Sequence, residues 1–157
     1  SNISAEVELG KIYAILGPSG CGKTTLLSLL GGLDSPTKGK ILFNGEDITE
    51  KGFANHRRNH VSFIFQAYNL IDYMTPLENV QLTSKLLPEP VLEKMGLTKE
   101  EMKRNVLQLS GGQQQRVAIA RTLASKAPVI LQMNRRETSM KKLQCSLCKY
   151  WKIVYTR

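Results

Sequence analysis

Apolar positions in the first part of this chain come in short unbroken runs, and in the second part they follow helical spacing. Residues 12–16 form an apolar run that halts at a glycine-rich stretch, the pattern of a buried strand entering a turn. Residues 23–30 then supply good helix formers with a heavily apolar face, and Gly31-Gly32 gives a C-terminal stop signal. The order is strand, glycine loop, helix. Residues 35–39 predict a turn, 40–43 a strand, and Asn44-Gly45 a tight turn. A second buried strand is expected over 61–65. At Thr75 the character changes: Thr75 as N-cap, Pro76 at the first helical position and Glu78 at the third predict a helix start. Helical segments should dominate from there to 124, the last an amphipathic stretch over 117–124 behind Ser110 as N-cap. Val129-Ile130-Leu131, after Pro128, opens a further buried strand that breaks off.

With 157 residues, 41% of them hydrophobic, there is room for one compact domain with a core, which argues against wholesale disorder. No apolar run approaches the roughly 18 residues of a membrane span. Residues 1–8 lack the basic and apolar regions of a secretory signal, so the expectation is a soluble intracellular protein, or one held at a membrane by a partner. The initial serine suggests a fragment or a processed product. A net charge of +9 would ordinarily point to nucleic acid or acidic lipid. Its location argues otherwise, because residues 1–131 hold 15 Lys+Arg against 12 Asp+Glu, whereas 132–157 hold 7 against 1. Three cysteines, Cys21, Cys145 and Cys148, are too few and too unevenly placed for a disulfide framework, and reduced thiols are expected.

Gly17-Pro18-Ser19-Gly20-Cys21-Gly22-Lys23-Thr24 fits G-x-x-x-x-G-K-[ST] between the strand and the helix, where a phosphate-binding loop belongs. Triphosphate oxygens need many donors at once, and glycine-rich backbone can curl so that successive N–H groups point inward. In this reading the helix N-terminus adds its dipole and Lys23 reaches the β- and γ-phosphates. The Thr24 hydroxyl ligates Mg²⁺, and Thr25 binds the α-phosphate. Cys21 is a small loop residue, since no base is placed beside it by sequence.

The second motif is Leu109-Ser110-Gly111-Gly112-Gln113-Gln114-Gln115-Arg116, whose glycines leave a helix N-terminus open to an anion. Together with the phosphate loop it resembles the ATP-binding-cassette (ABC) ATPases, whose signature reads LSGGQ, here 109–113. The resemblance runs from about residue 3 to 131 and implies an α/β P-loop NTPase fold. That fold would be a nucleotide-binding core, 1–66 plus 127–131, with an incomplete central sheet and a helical insert over about 67–126. It also implies that Gln66, after Phe63-Ile64-Phe65, is the family's Q-loop glutamine, which approaches Mg²⁺ and the attacking water and senses the transport partner. In such ATPases two subunits pair head to tail, as a homodimer or heterodimer, so Ser110, Gly111, Gly112 and Gln113 would meet the γ-phosphate of a partner's ATP. The implied partner is a membrane permease, which places the subunit in the cytoplasm, peripheral at the inner face of the membrane. Residues 67–71 and 79–80 are most similar to ATPases of lipoprotein-releasing and peptide or macrolide exporters. The insert is short over 85–109, and nothing before Ile3 matches the aromatic residue that stacks on adenine in the family, so base recognition is expected to be weakened or absent. Tyr13 is expected in the core.

After Leu131 the family pattern calls for an aspartate for Mg²⁺ and a glutamate that polarises water, and the chain reads Gln132-Met133-Asn134-Arg135-Arg136. Glu137 comes too late and reads as a solvated charge. The downstream histidine is also unmatched, because His56 and His60 precede Gln66 and read as surface residues. The loss has an explanation in the genetic code. Residues 132–140 can be encoded CAG ATG AAC CGA CGG GAA ACC TCG ATG, and one added leading G turns this into codons for ADEPTGNLD, the family's motif at the expected place. The glutamate codon is forced by Met133 and Asn134. Residues 132–157 are therefore expected to be an out-of-frame tail without a selected fold, and the chain to bind ATP with little or no turnover. On that view Cys145 and Cys148, with His56 and His60, form no zinc site, and Tyr150, Trp151 and Tyr155 no specific nucleic-acid surface. The alternatives are a non-transport P-loop module, such as a chromosome or DNA-repair ATPase relative, and a non-functional gene remnant. The first would need a long coiled coil, and no sustained heptads intervene.

Overall fold

The computed structural model describes residues 3–65, 67–133 and 153–156. Among them the chain runs β1 (Tyr13–Ile15), α1 (Lys23–Leu30), β2 (Leu42–Phe43), β3 (Glu46–Asp47), α2 (Phe53–Asn59), β4 (Val61–Ile64), α3 (Pro76–Gln81), α4 (Pro88–Lys94), α5 (Lys99–Lys103), a 3₁₀ turn (Val106–Gln108), α6 (Gly111–Ala124), β5 (Val129–Gln132) and β6 (Ile153–Thr156). The chain divides into two compact units, Ser1–Ser62 with Pro128–Arg157, and Phe63–Ala127.

The main sheet has the order β1-β6-β5-β4, with β6 parallel to both β1 and β5. Tyr13 stands opposite Val154, and Leu131 opposite Val154 from the other side. β6 comes from the segment expected to have no selected fold. Of that segment, 134–152 and 157, which include Cys145, Cys148, Tyr150 and Trp151, lie outside the described residues. A separate hairpin joins β2 to β3 through Asn44 (φ 52°) and Gly45 (φ 81°), the two left-handed residues that let a two-residue turn follow the strand twist.

In the first unit the bounds of α1 are those the sequence predicts, and its Leu27 is fully buried, worth about 2 kcal/mol of hydrophobic stabilisation. Ile130 and Leu131 make β5 a core strand. β1 differs from the expected buried strand: Ile12 is 40% and Leu16 59% exposed, and Ala14 is exposed. An apolar run is buried only where layers cover both faces of its sheet, and β1 is bound chiefly edge-on by β6. Tyr13, expected in the core, is half-buried, its hydroxyl accepting from the Glu8 amide at 3.0 Å.

His56 is the larger correction, since it is 4% exposed rather than on the surface. Helix α2 lies against the end of α1, where His56 Nε2 donates to the Leu30 carbonyl at 3.0 Å and Arg57 binds the Gly32 carbonyl. His56 Nδ1 meets His60 Nδ1 at 3.2 Å, and the His60 ring stacks on Phe43 with centroids 4.2 Å apart. Burial, outweighing the Leu30 bond that favours the charged form, pulls the His56 pKa below its ordinary value.

The second unit packs α3, α4, α5 and α6 around Val80, Leu92, Met102, Val106, Val117 and Ala120. Val117, Ala120 and Ala124 recur at helical spacing and put the apolar stripe of α6 against this core. Three of its helices open on capping boxes: Thr75 with Glu78, Thr98 with Glu101, and Ser110 with Gln113. Each box satisfies two end donors that would otherwise lack partners.

Candidate functional site

The stretch from Gly17 to Thr24 is exposed except for half-buried Lys23 and leads into α1 without a side-chain cap. Gly20 (φ 82°) and Gly22 (φ 91°) are both left-handed, a conformation that L side chains rarely adopt, so the glycines at these positions are required by backbone shape. Gly17 faces the Cys21 side chain closely: a Cβ there would stand 2.7 Å from Cys21 Sγ, which would have to turn away. The Cys21 amide closes the turn on the Pro18 carbonyl at 3.3 Å. Lys23 folds back along the loop and donates to the Gly17 and Pro18 carbonyls, each at 2.7 Å, with Cys21 Sγ 3.6 Å from its Nζ. Thr24 and Thr25 follow, exposed in the first turn of α1. The result is an uncapped helix N-terminus with bare amides and a cation, the chemistry of a polyphosphate cradle.

The second motif starts α6 at Gly111, earlier than the amphipathic stretch alone indicated. Ser110 Oγ accepts from the Gln113 amide at 3.3 Å, and the Ser110 amide donates to Gln113 Oε1 at 2.7 Å. Gln113 Nε2 donates to Glu101 Oε1, so both ends of this carboxamide are engaged within the chain. Glu101 is a residue that sequence reasoning missed. Its carboxyl is held below the usual range first by the Thr98 amide, then also by the Thr98 hydroxyl, Gln113 and Arg116. A Cβ built on Gly111 or Gly112 meets nothing within 4 Å, so no packing among the described residues requires these glycines. What they do is leave the helix end bare. Gln66 lies outside the described residues.

A family model described as ABC transporter matches residues 1–132. The chain belongs to the ABC transporter family. It is 41% identical over 140 residues to the ABC transporter ATP-binding protein YclH of Bacillus subtilis, covering 83% of this chain and 62% of that protein. It is 42% identical over 139 residues to the Fe(3+) ions import ATP-binding protein FbpC of Vibrio cholerae, covering 83% of this chain and 39% of that one. The chain thus spans about six-tenths, or less, of the length of these curated relatives. Among solved structures, a dimeric bacterial ABC transporter cassette superposes with a TM-score of 0.78 at 30% identity, over 99% of this chain and 78% of that one. The fold is also that of cbiO1 of Clostridium perfringens, part of the ABC transporter complex cbiONQ, with a TM-score of 0.80 at 24% identity over 98% and 69% of the two chains. The chain is therefore an ABC ATPase domain of the P-loop NTPase fold. No helix among the described residues is long and apolar enough to cross a membrane.

Proposed function

We propose that this chain is the ATP-binding subunit of an ABC transporter and holds Mg·ATP with little or no turnover. The observation that carries the reading is the left-handed pair Gly20 and Gly22 ahead of an uncapped α1, with Lys23 folded along the loop. Backbone amides of 17–25 and the Lys23 ammonium would bind the phosphates, with Thr25 at the α-phosphate. The exposed Thr24 hydroxyl fits Mg²⁺ as a hard oxygen donor, and the ion when bound would offset phosphate charge. Gln66 would be its second protein contact. Ser110, Gly111 and Gly112 would meet the γ-phosphate of a second subunit in a head-to-tail pair, with Gln113 fixing their geometry from inside.

Absence of turnover follows from the donor set, because neither Met133 nor Asn134 can replace an aspartate at Mg²⁺ or a glutamate at water. Gln132 supports a break in reading frame. It is 2% exposed, and its Oε1 has no hydrogen-bond partner among the described residues, a defect that costs about 1–3 kcal/mol. The restored frame puts alanine there. A membrane permease at the inner face of the membrane is the partner, with neither zinc nor a specific nucleic acid as a further ligand. The exporter direction rests on residues 67–71 and 79–80, and relatives such as FbpC are importers, so co-purification with a permease of known direction tests it. The nucleotide reading is tested by titrating a fluorescent ATP analogue with Mg²⁺. Wild type should bind and Lys23→Ala should not. A phosphate-release rate abolished by Lys23→Ala would overturn the absence of turnover.

A further inference from the structure

Helix α6 carries a half-buried cation that neither nucleotide motif uses. Arg121, in its last turn, donates from Nη1 to the Asn69 carbonyl at 2.7 Å and from Nη2 to the Tyr68 carbonyl at 3.0 Å. Those carbonyls belong to consecutive residues in the left-handed region, Tyr68 at φ 56° and Asn69 at φ 47°. For residues other than glycine that conformation costs on the order of 1 kcal/mol each, so the pair persists only where its surroundings impose it. A guanidinium is suited to impose it, because its planar fork engages two adjacent carbonyls in one fixed geometry. Desolvation of the Arg121 guanidinium lowers its pKa, which marks a site where water competes poorly for the same bonds.

The far end of the same loop is also fastened. Asn79 of α3, fully buried, accepts from the Ile71 amide at 2.7 Å and donates to the Ile71 carbonyl at 3.2 Å and the Thr75 carbonyl at 3.1 Å. The segment that follows Gln66 is thus tied to the signature helix at one end and to α3 at the other, all within Phe63–Ala127.

We propose that Arg121 is a positioning residue that makes the segment after Gln66 and the signature helix one mechanical piece, so that a displacement of either reaches the other. The proposal rests on the nucleotide-binding reading only in taking Gln66 as the residue that senses nucleotide and partner. Without the fork, the strained pair would relax and the loop would absorb the movement.

Amide exchange followed by mass spectrometry, on the full chain, tests this with Arg121→Ala, Arg121→Lys and Asn79→Ala beside wild type. Arg121→Ala should raise exchange over 67–70 at least about tenfold while α4 and α5 keep wild-type protection. Arg121→Lys should recover only part of it, since one ammonium cannot span both carbonyls as the fork does. Guanidinium ion below denaturing concentration should return Arg121→Ala toward wild type, a rescue that a merely space-filling role would not show. Asn79→Ala should loosen Ile71 and leave Tyr68 and Asn69 protected. With Mg·ATP, wild type should change exchange over 67–70 and 110–114 together, and Arg121→Ala should uncouple them.

Wild-type exchange over 67–70 in Arg121→Ala would overturn the proposal, as would a rise spread evenly through α3 to α6. A nucleotide response at 110–114 that survives Arg121→Ala at concentrations where the chain is unpaired would also overturn it. If Arg121→Ala does not fold, Arg121→Lys decides by the same criteria. Should wild type bind no Mg·ATP, the nucleotide-binding reading fails, and exchange over 67–70 without ligand decides this one.

Discussion

Two helices of this chain begin on glycine-rich turns, and their N-termini are finished differently. α1 opens on left-handed Gly22 with no side-chain cap, and its first residue, Lys23, supplies a cation. α6 opens on Ser110 in extended conformation, satisfies two amides in a capping box, and has no lysine or arginine in its first turn. Both present positive dipole ends, worth about 0.3–1 kcal/mol toward a nearby anion. Only the first adds a full charge and leaves every end amide bare. The difference teaches that α1 brings both a cation and a dipole end to the proposed phosphate site, whereas α6 brings a dipole end alone, which is what half of the proposed symmetric pair would need to bring.

The sharpest way to break the contrast is Lys23→Ala. With two charge-assisted contacts gone, nucleotide affinity should fall by at least about a hundredfold, read by equilibrium titration. Gly22→Ala comes next: forcing a side chain into φ 91° should cost about 1–2 kcal/mol and weaken nucleotide binding roughly tenfold, with Gly111→Ala neutral for the unpaired chain. Ser110→Ala should lower the stability of the second unit by about 1 kcal/mol in urea unfolding, with nucleotide affinity of the unpaired chain unchanged.

The smallest effect is acidity. The fold lowers the His56 pKa, so it favours the neutral ring, and its contribution is complete above the ordinary value of 6.5. It is lost as pH falls below 6.5, where the unfolded state takes up the proton first. The second unit has no histidine, and its lowered carboxyls are Glu78 and Glu101, whose contribution is complete above 4.5 and lost as pH falls through their depressed values. Exchange measured segment by segment from pH 7.5 to 5 should therefore loosen α2 before α3 or α5. His56→Gln should flatten the first change and leave the second. Equal loosening of both units would remove the distinction.

Local signals carried much of this structure. The bounds of α1, the Thr75 capping box, the Asn44-Gly45 turn and the phosphate loop are written in residues next to one another, and geometry of that range is fixed by backbone preference. The α/β class follows from their order. What escaped is non-local. His56 is buried because Leu30 offers a carbonyl 26 residues away, and Glu101 reaches Gln113 across 12 residues. Arg121 meets Asn69 across 52 residues, and nothing in its own neighbourhood marks it as different from a surface arginine. The His56-x-x-x-His60 spacing was a usable clue, since residues four apart share one helix face. The apolar run of β1 misled because hydrophobicity reports what a strand could bury, not which layers cover it.

The folded-back Lys23 makes the loop its own competitor. Its ammonium already has the Gly17 and Pro18 carbonyls as partners, so an arriving phosphate exchanges bonds with the loop instead of filling a gap. The net heat of binding should then be smaller than the number of phosphate contacts suggests, and much of the selectivity should lie in whether a ligand's charge density can pull that side chain away. On the proposed reading a triphosphate should do so, where a lone inorganic phosphate should leave the lysine where it lies.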